Sequence, residues 1–84
     1  MAGKKHYVYI VKCSDNTLYT GYTVDLERRI KEHNEGRGSR YTRGRLPVKL
    51  EYFEEYEAKG RAMKREYEIK QMTRMQKEKL LSWF

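Results

Sequence analysis

Five consecutive residues near the start of the chain, Tyr7-Val8-Tyr9-Ile10-Val11, are all aromatic or β-branched, a composition that favours extended backbone over helix. Ser14-Asp15-Asn16-Thr17 then supplies turn chemistry, and a second short run follows at Leu18-Tyr19-Thr20-Gly21-Tyr22. The pattern predicts a β-hairpin. With only 38% of 84 residues apolar and 37% charged, the core that covers this hairpin must be thin and must recruit the stems of long side chains.

The remaining elements follow from spacing. Thr23 or Asp25 is positioned to cap a helix of about three turns beginning near Leu26, with Leu26 and Ile30 on one face and Asn34 and Gly36 at its end. From Gly36 to Leu50 runs a basic loop, in which Arg37, Arg40, Arg43, Arg45 and Lys49 occur without an acid. Past Pro47, Val48 to Tyr56 reads as a third strand with Val48, Leu50, Tyr52 and Tyr56 sharing one parity and the opposite face solvated. Ala58 to Met72 has the composition of a long amphipathic helix, and Thr73 caps another that ends in Leu80-Leu81-Ser82-Trp83-Phe84. The expectation is one α+β domain over residues 1–84, of order ββαβαα.

Lys and Arg number 19 against 12 Asp and Glu, a net charge of +7, so polyanions are the natural partners. The first apolar run is five residues long, short of the roughly 7 to 15 of a signal peptide, and nothing approaches the roughly 20 apolar residues of a transmembrane span. Cys13 is the one cysteine and His6 and His33 the only histidines, which leaves no internal disulfide and no zinc-site spacing. We expect a cytoplasmic, reduced protein that does not enter a membrane, with Cys13 as a small core hydrophobe.

Helical geometry separates charged neighbours that composition treats alike. At about 100° per residue, Arg29 and His33 lie about 60° and 20° from Leu26, whereas Arg28 lies about 160° away. Arg29 and His33 thus border the buried stripe. Glu66 falls about 40° from Ala62, between Ala62 and Met63, while Glu68 points about 120° the other way. A charge at the border of an apolar stripe is costly unless paired, hydrated or bound to a metal. Two explanations stand side by side: an internal Glu66–Arg29 pair, or a functional site. The eight tyrosines read more readily as amphipathic core filler than as a site.

Tyr7-Val8-Tyr9, then Tyr19-Thr20-Gly21 ten residues beyond Tyr9, then a helix carrying Arg29 and His33 four residues on, then Ser39-Arg40-Tyr41-Thr42, Pro47 and Ala62-Met63-Lys64-Arg65-Glu66 occur in this order. Together they resemble a GIY-YIG nuclease domain over nearly the whole chain, and most of all its small stand-alone bacterial members. Tyr7 stands where the family's first motif has glycine, and Thr20 where an aliphatic residue is usual. No counterpart is found to the asparagine that some members carry after the glutamate.

The resemblance implies a three-stranded antiparallel sheet flanked by helices and metal-dependent hydrolysis of phosphodiesters; with no added reader domain, the leading expectation is an endonuclease of DNA, or of RNA, that selects structure rather than sequence. Carried over by position, Tyr9 and Tyr19 lie near the attacking water, Arg29 at the scissile phosphate, His33 beside it, and Glu66 on one Mg²⁺ or Mn²⁺ ion; Tyr7 and Gly21 line the site. These residue types suit the task. A guanidinium forks onto phosphate oxygens. One carboxylate leaves most positions of a hard cation to water and substrate. A phenol of pKa about 10 needs a cation or hydrogen-bond partner to serve as base, and either Tyr9 or Tyr19 qualifies. Arg37, Arg40, Arg43, Arg45 and Lys49 would grip the nucleic-acid backbone. A second reading is a non-catalytic binding module working with a repair or processing partner. A third has Leu80-Leu81 and Trp83-Phe84 dock on such a partner, though cover for the sheet is the simpler role for them. Monomer and weak dimer are both compatible with the sequence.

Overall fold

The computed structural model describes residues 4–82. Strands β1 (His6–Lys12) and β2 (Leu18–Thr23) form the expected hairpin, and β3 (Lys49–Tyr56) adds to the far side of β1, giving an antiparallel sheet of order β2-β1-β3. The apolar run is therefore the middle strand, and both its faces are covered. Val8 and Ile10 point to one side, where they pack with Ala62 and Ile69. Tyr9 and Val11 point to the other, with Cys13 and Val48. Full burial of a Val or Ile is worth about 1.5–3 kcal/mol, so these alternating residues fix the register: a slip by one would exchange the two faces.

Helix α1 (Leu26–Asn34) is capped by Asp25, whose carboxylate accepts from the Arg28 amide at 3.1 Å. It ends at Glu35, followed by Gly36 in the left-handed region at φ 82°. Ile30 and Leu26 turn to the Tyr9 side of the sheet. Asn34 locks the helix end to the start of β3, donating to the Val48 carbonyl at 3.1 Å and accepting from its amide at 2.7 Å. Helices α3 (Lys59–Lys70) and α4 (Arg74–Ser82) cover the opposite face, with Leu80 and Leu81 packed on the Val8 cluster. Cover for the sheet is thus the role of that pair; Trp83 and Phe84 lie outside the described residues.

Two expectations need correction. The basic stretch is not all loop: Arg40–Arg43 form a one-turn helix, α2, capped by Ser39, so the order is ββααβαα. The third strand is not of one parity either. Val11 faces Leu50 and Ile10 faces Tyr52, leaving Glu51 as an extra residue in a bulge. The bulge splits the apolar set, sending Val48 and Leu50 to the α1 side with Phe53, and Tyr52 and Tyr56 to the α3 side. No solvated face remains.

On the α3 side Glu54 gathers three partners. It accepts from the hydroxyls of Tyr52 and Tyr56, and from Arg65 through Nε at 2.9 Å and an η nitrogen at 3.0 Å. The Arg65 fork clamps α3 to β3 along one flank of the helix. The opposite flank, which carries Glu66, is thereby turned toward β2.

Candidate active site

Each residue singled out on α1 sits where the helical wheel puts it. His33 is fully buried, the Arg29 side chain is 28% exposed and that of Arg28 is 66% exposed. Buried between strand and helix, the Tyr9 hydroxyl lies 2.8 Å from His33 Nε2, and His33 Nδ1 lies 2.8 Å from the Thr42 hydroxyl. Thr42 is also fully buried. Its own hydroxyl is 3.0 Å from the Ser39 hydroxyl and 3.4 Å from the Ser39 carbonyl, while the Thr42 amide donates to Ser39 Oγ at 3.1 Å. The short helix α2 thus exists to bring one threonine under the histidine, a role that four residues of sequence give no periodicity to reveal.

The tautomer follows from proton counting. Tyr9 is 1% exposed, and among the described residues its hydroxyl proton has one hydrogen-bond acceptor, His33 Nε2. Tyr9 therefore donates, Nε2 accepts, and the proton on Nδ1 goes to Thr42, which passes its own toward Ser39.

Two glycines make this packing possible. Gly21 is paired opposite Tyr9 across the hairpin, and a β-carbon there would fall 2.4 Å from the Tyr9 hydroxyl oxygen. A β-carbon on Gly38 would fall 2.0 Å from His33 Nδ1. The third residue of the motif Tyr19-Thr20-Gly21 is thus glycine because the Tyr9 ring lies across it.

Burial, the largest influence, pushes the Tyr9 hydroxyl up to about 12, and the Arg29 guanidinium beside it draws the other way. The charge of Glu66 is felt at the same hydroxyl. Burial lowers the His33 pKa, and the Arg29 charge adds to the effect, so the imidazole is neutral at neutral pH. Arg29 donates to Glu32 at 3.1 Å and to the Gly38 carbonyl at 2.7 Å, while its buried Nε has no hydrogen-bond partner among the described residues. The ring of Tyr19, half-buried, meets the edge of His33 at 5.4 Å and stacks on Tyr41 at 5.8 Å.

The Glu66–Arg29 pair does not form. Arg29 finds Glu32 three residues on, and Glu66 pairs with Lys70 four residues on, at 3.1 Å. Both are partners within one helix, reached at lower cost than a bridge across the sheet. The Glu66 side chain is 14% exposed, so it meets solvent at its tip. Among the described residues no cluster of three or more His, Cys, Asp or Glu gathers. The donor set is one carboxylate, which fits a hard divalent ion that draws its other ligands from water and substrate, and does not fit a closed structural site. Tyr7, on the Tyr9 face, meets Phe53 edge-on at 6.1 Å rather than joining the hydroxyl cluster.

The basic stretch divides. Arg37 pairs with Glu35, and Arg45 donates to Asp15 at 3.0 Å and lies 4.2 Å over the Tyr41 ring. Arg40, Arg43 and Lys49 are exposed and have no ion pair among the described residues. No helix among the described residues is long and apolar enough to cross a membrane.

Residues 5–79 match the GIY-YIG catalytic domain. The chain is 57% identical over 75 residues to a UPF0213 protein of Halobacterium salinarum, covering 89% of this chain and 97% of that one. It is 58% identical over 77 residues to a UPF0213 protein of Staphylococcus haemolyticus, covering 92% and 94%. The solution NMR structure of a UPF0213 protein from Bacillus halodurans matches with a TM-score of 0.63 at 49% identity, over 94% of this chain and 84% of that one. The relatives thus include archaeal as well as bacterial proteins. The chain belongs to the GIY-YIG catalytic-domain family, with UPF0213 proteins among its relatives.

Proposed function

We propose that this protein is a metal-dependent endonuclease that hydrolyses phosphodiester bonds in DNA, and in RNA as the lesser substrate, choosing its target by structure. The family carries nuclease-type activity, and one observation supports the specific reading. The Tyr9 hydroxyl lies 2.8 Å from His33 Nε2 and feels the charges of Arg29 from α1 and Glu66 from α3, while the Tyr19 ring from β2 packs against the same imidazole.

The chain's own residues then divide the work. A phenol pushed up to about 12 holds its proton at neutral pH, so Tyr9 cannot wait as phenolate. It acts by relay: as the attacking water gives a proton to the Tyr9 oxygen, the phenolic proton passes to His33 Nε2. Burial and Arg29 depress the His33 pKa, so the imidazole is neutral and its Nε2 lone pair is unoccupied by a proton. Thr42, receiving the Nδ1 proton's hydrogen bond, keeps Nε2 facing Tyr9. Arg29 supplies positive charge where the phosphate's negative charge grows, and its neighbours Glu32 and the Gly38 carbonyl hold the guanidinium in place. Tyr19, stacked between His33 and Tyr41 nearer the surface, orients the substrate rather than taking the proton. Glu66 would hold the divalent ion, which when bound supplies further charge to a phosphoryl oxygen.

The test is incubation of the protein with branched, flapped, single-stranded and duplex oligonucleotides, with Mg²⁺ or Mn²⁺ and with chelator. Metal-dependent cutting by the wild type, lost in Tyr9→Phe and retained in part by Tyr19→Phe, is expected. Equal loss in both would remove the distinction between the two tyrosines.

A further inference from the structure

Of the eight tyrosines, seven have a partner in the described structure. Tyr9 and Tyr19 meet His33, Tyr41 is stacked on Tyr19 with Arg45 over its ring, Tyr7 meets Phe53, Tyr22 meets His6, and Tyr52 and Tyr56 bond Glu54. Tyr67 alone has neither a hydrogen bond nor a ring contact among the described residues, and at 66% exposed it is the most open of the eight. It follows Glu66 directly on α3, about 100° around the helix, and Met63, itself 40% exposed, lies between them at about 60° from Glu66. An exposed aromatic beside an exposed methionine is unexpected on a helix otherwise lined with charges.

The charge around this patch is as uneven. Residues 59–82 hold eight of the 19 basic residues and three of the 12 acids, while residues 50–58 hold four acids and no base. Lys59, exposed and without an ion pair among the described residues, lies about 20° from Glu66 and about 10 Å along the helix axis. From the edge of α3 that the Glu54–Arg65 clamp turns toward β2, Lys59 and Glu66 are followed around the helix by Met63 and then by Tyr67 on its solvent side. A basic track interleaved with an open aromatic face is the chemistry that binds an unpaired strand.

We infer that the exposed side of α3, from Lys59 and Glu66 round to Tyr67, is the seat of a single-stranded segment of the substrate, with Lys59 on its phosphates and Tyr67, supported by Met63, stacked on an unpaired base near the bond to be cut. The inference rests on the nuclease reading and deepens it, because it names an unpaired segment as the feature selected. Tyr41 is a poorer platform, its ring being covered by Tyr19 and Arg45. Stacking on an open tyrosine adds to affinity for a single strand and adds nothing to a continuous duplex, whose bases are already stacked.

The experiment measures binding with chelator present, so that cutting plays no part. Fluorescence anisotropy with a labelled 12-nucleotide single strand and the corresponding blunt duplex would compare wild type, Tyr67→Ala, Tyr67→Trp, Lys59→Gln and, as a control of equal charge on α1, Lys31→Gln. Tyr67→Ala is expected to weaken single-strand binding about 5-fold or more and duplex binding less than 2-fold. Tyr67→Trp should retain affinity, with its emission quenched as the strand binds. Lys59→Gln should cost more than Lys31→Gln at low salt. A wild type that binds while Tyr67→Ala changes neither substrate, or both alike, overturns the inference and leaves the nuclease reading standing. A wild type that binds neither nucleic acid overturns both.

Discussion

The Tyr9 hydroxyl and His33 Nε2 stand 2.8 Å apart, joining the middle strand of the sheet to α1 inside the molecule. The same contact fixes the pH behaviour. His33 has its pKa lowered from the ordinary 6.5, first by burial and then by Arg29, so between the folded value and 6.5 the unfolded chain binds more protons than the folded one. Stability therefore rises with pH across that window. The contribution is complete above pH 6.5 and is lost as pH falls through the folded pKa. Urea unfolding at pH 7 and pH 5 should show a lower unfolding free energy at pH 5, and His33→Gln should remove part of that dependence. Cleavage should fall over the same acidic window. A wild type equally stable at both values would contradict the assignment of a neutral, buried imidazole.

Thr42 tests the tautomer. Thr42→Val keeps the shape and removes the acceptor for the Nδ1 proton, leaving a buried donor unmatched at a cost of about 1–3 kcal/mol, whereas Thr42→Ser keeps the hydroxyl. Nitrogen-15 NMR of the imidazole should show the Nδ1-protonated form in wild type and Thr42→Ser, and a mixture in Thr42→Val. The same tautomer in all three would show that Thr42 does not set it.

The glycines differ in kind. Gly21→Ala puts a methyl 2.4 Å from the Tyr9 oxygen and Gly38→Ala puts one 2.0 Å from His33 Nδ1 and 2.7 Å from the His33 Cα, so each should lose about 1–3 kcal/mol by overpacking. Gly38→Ala is expected to be the worse, since it meets backbone as well as ring. Gly60 lies inside α3 with open space around it, and Gly60→Ala should gain about 0.5–1 kcal/mol. Thermal unfolding of the three variants would rank them.

Much of this site was legible because helices and strands are periodic. The 3.6-residue repeat separated Arg29 and His33 from Arg28 and Glu66 from Glu68, and the resemblance added Tyr9 and Tyr19. What escaped had no period to carry it. A single bulge residue, Glu51, reversed the facing of half a strand, and α2 is too short to show a stripe. Ion pairing escaped for another reason. Arg29 had several carboxylates in reach on the wheel, and the choice of Glu32 over Glu66, like the capture of Arg37 by Glu35 and of Arg45 by Asp15, depends on distances that only the folded chain defines.

In the proposed metal site Lys70 would compete with the ion for Glu66. Its ammonium lies 3.1 Å from the carboxylate, and a divalent ion bound there would meet its charge. Removing it in Lys70→Gln should tighten Mn²⁺ binding several-fold, measured by calorimetry or by loss of the free-ion electron paramagnetic resonance signal, while Glu66→Gln should abolish the site. Unchanged Mn²⁺ affinity in Glu66→Gln would place the ion elsewhere.

The central claim is that Arg29 and Glu66 serve phosphodiester hydrolysis, and cleavage of a flapped oligonucleotide tests it most directly. Wild type, Arg29→Ala and Glu66→Ala would be compared with Mg²⁺ and with chelator, each first shown by circular dichroism to be folded. Cutting by the wild type only with metal is expected, and none by either variant even though Glu66→Ala still binds the substrate. A folded wild type that binds the oligonucleotide and never cuts it, or a Glu66→Ala protein that cuts as well as wild type, would contradict the account.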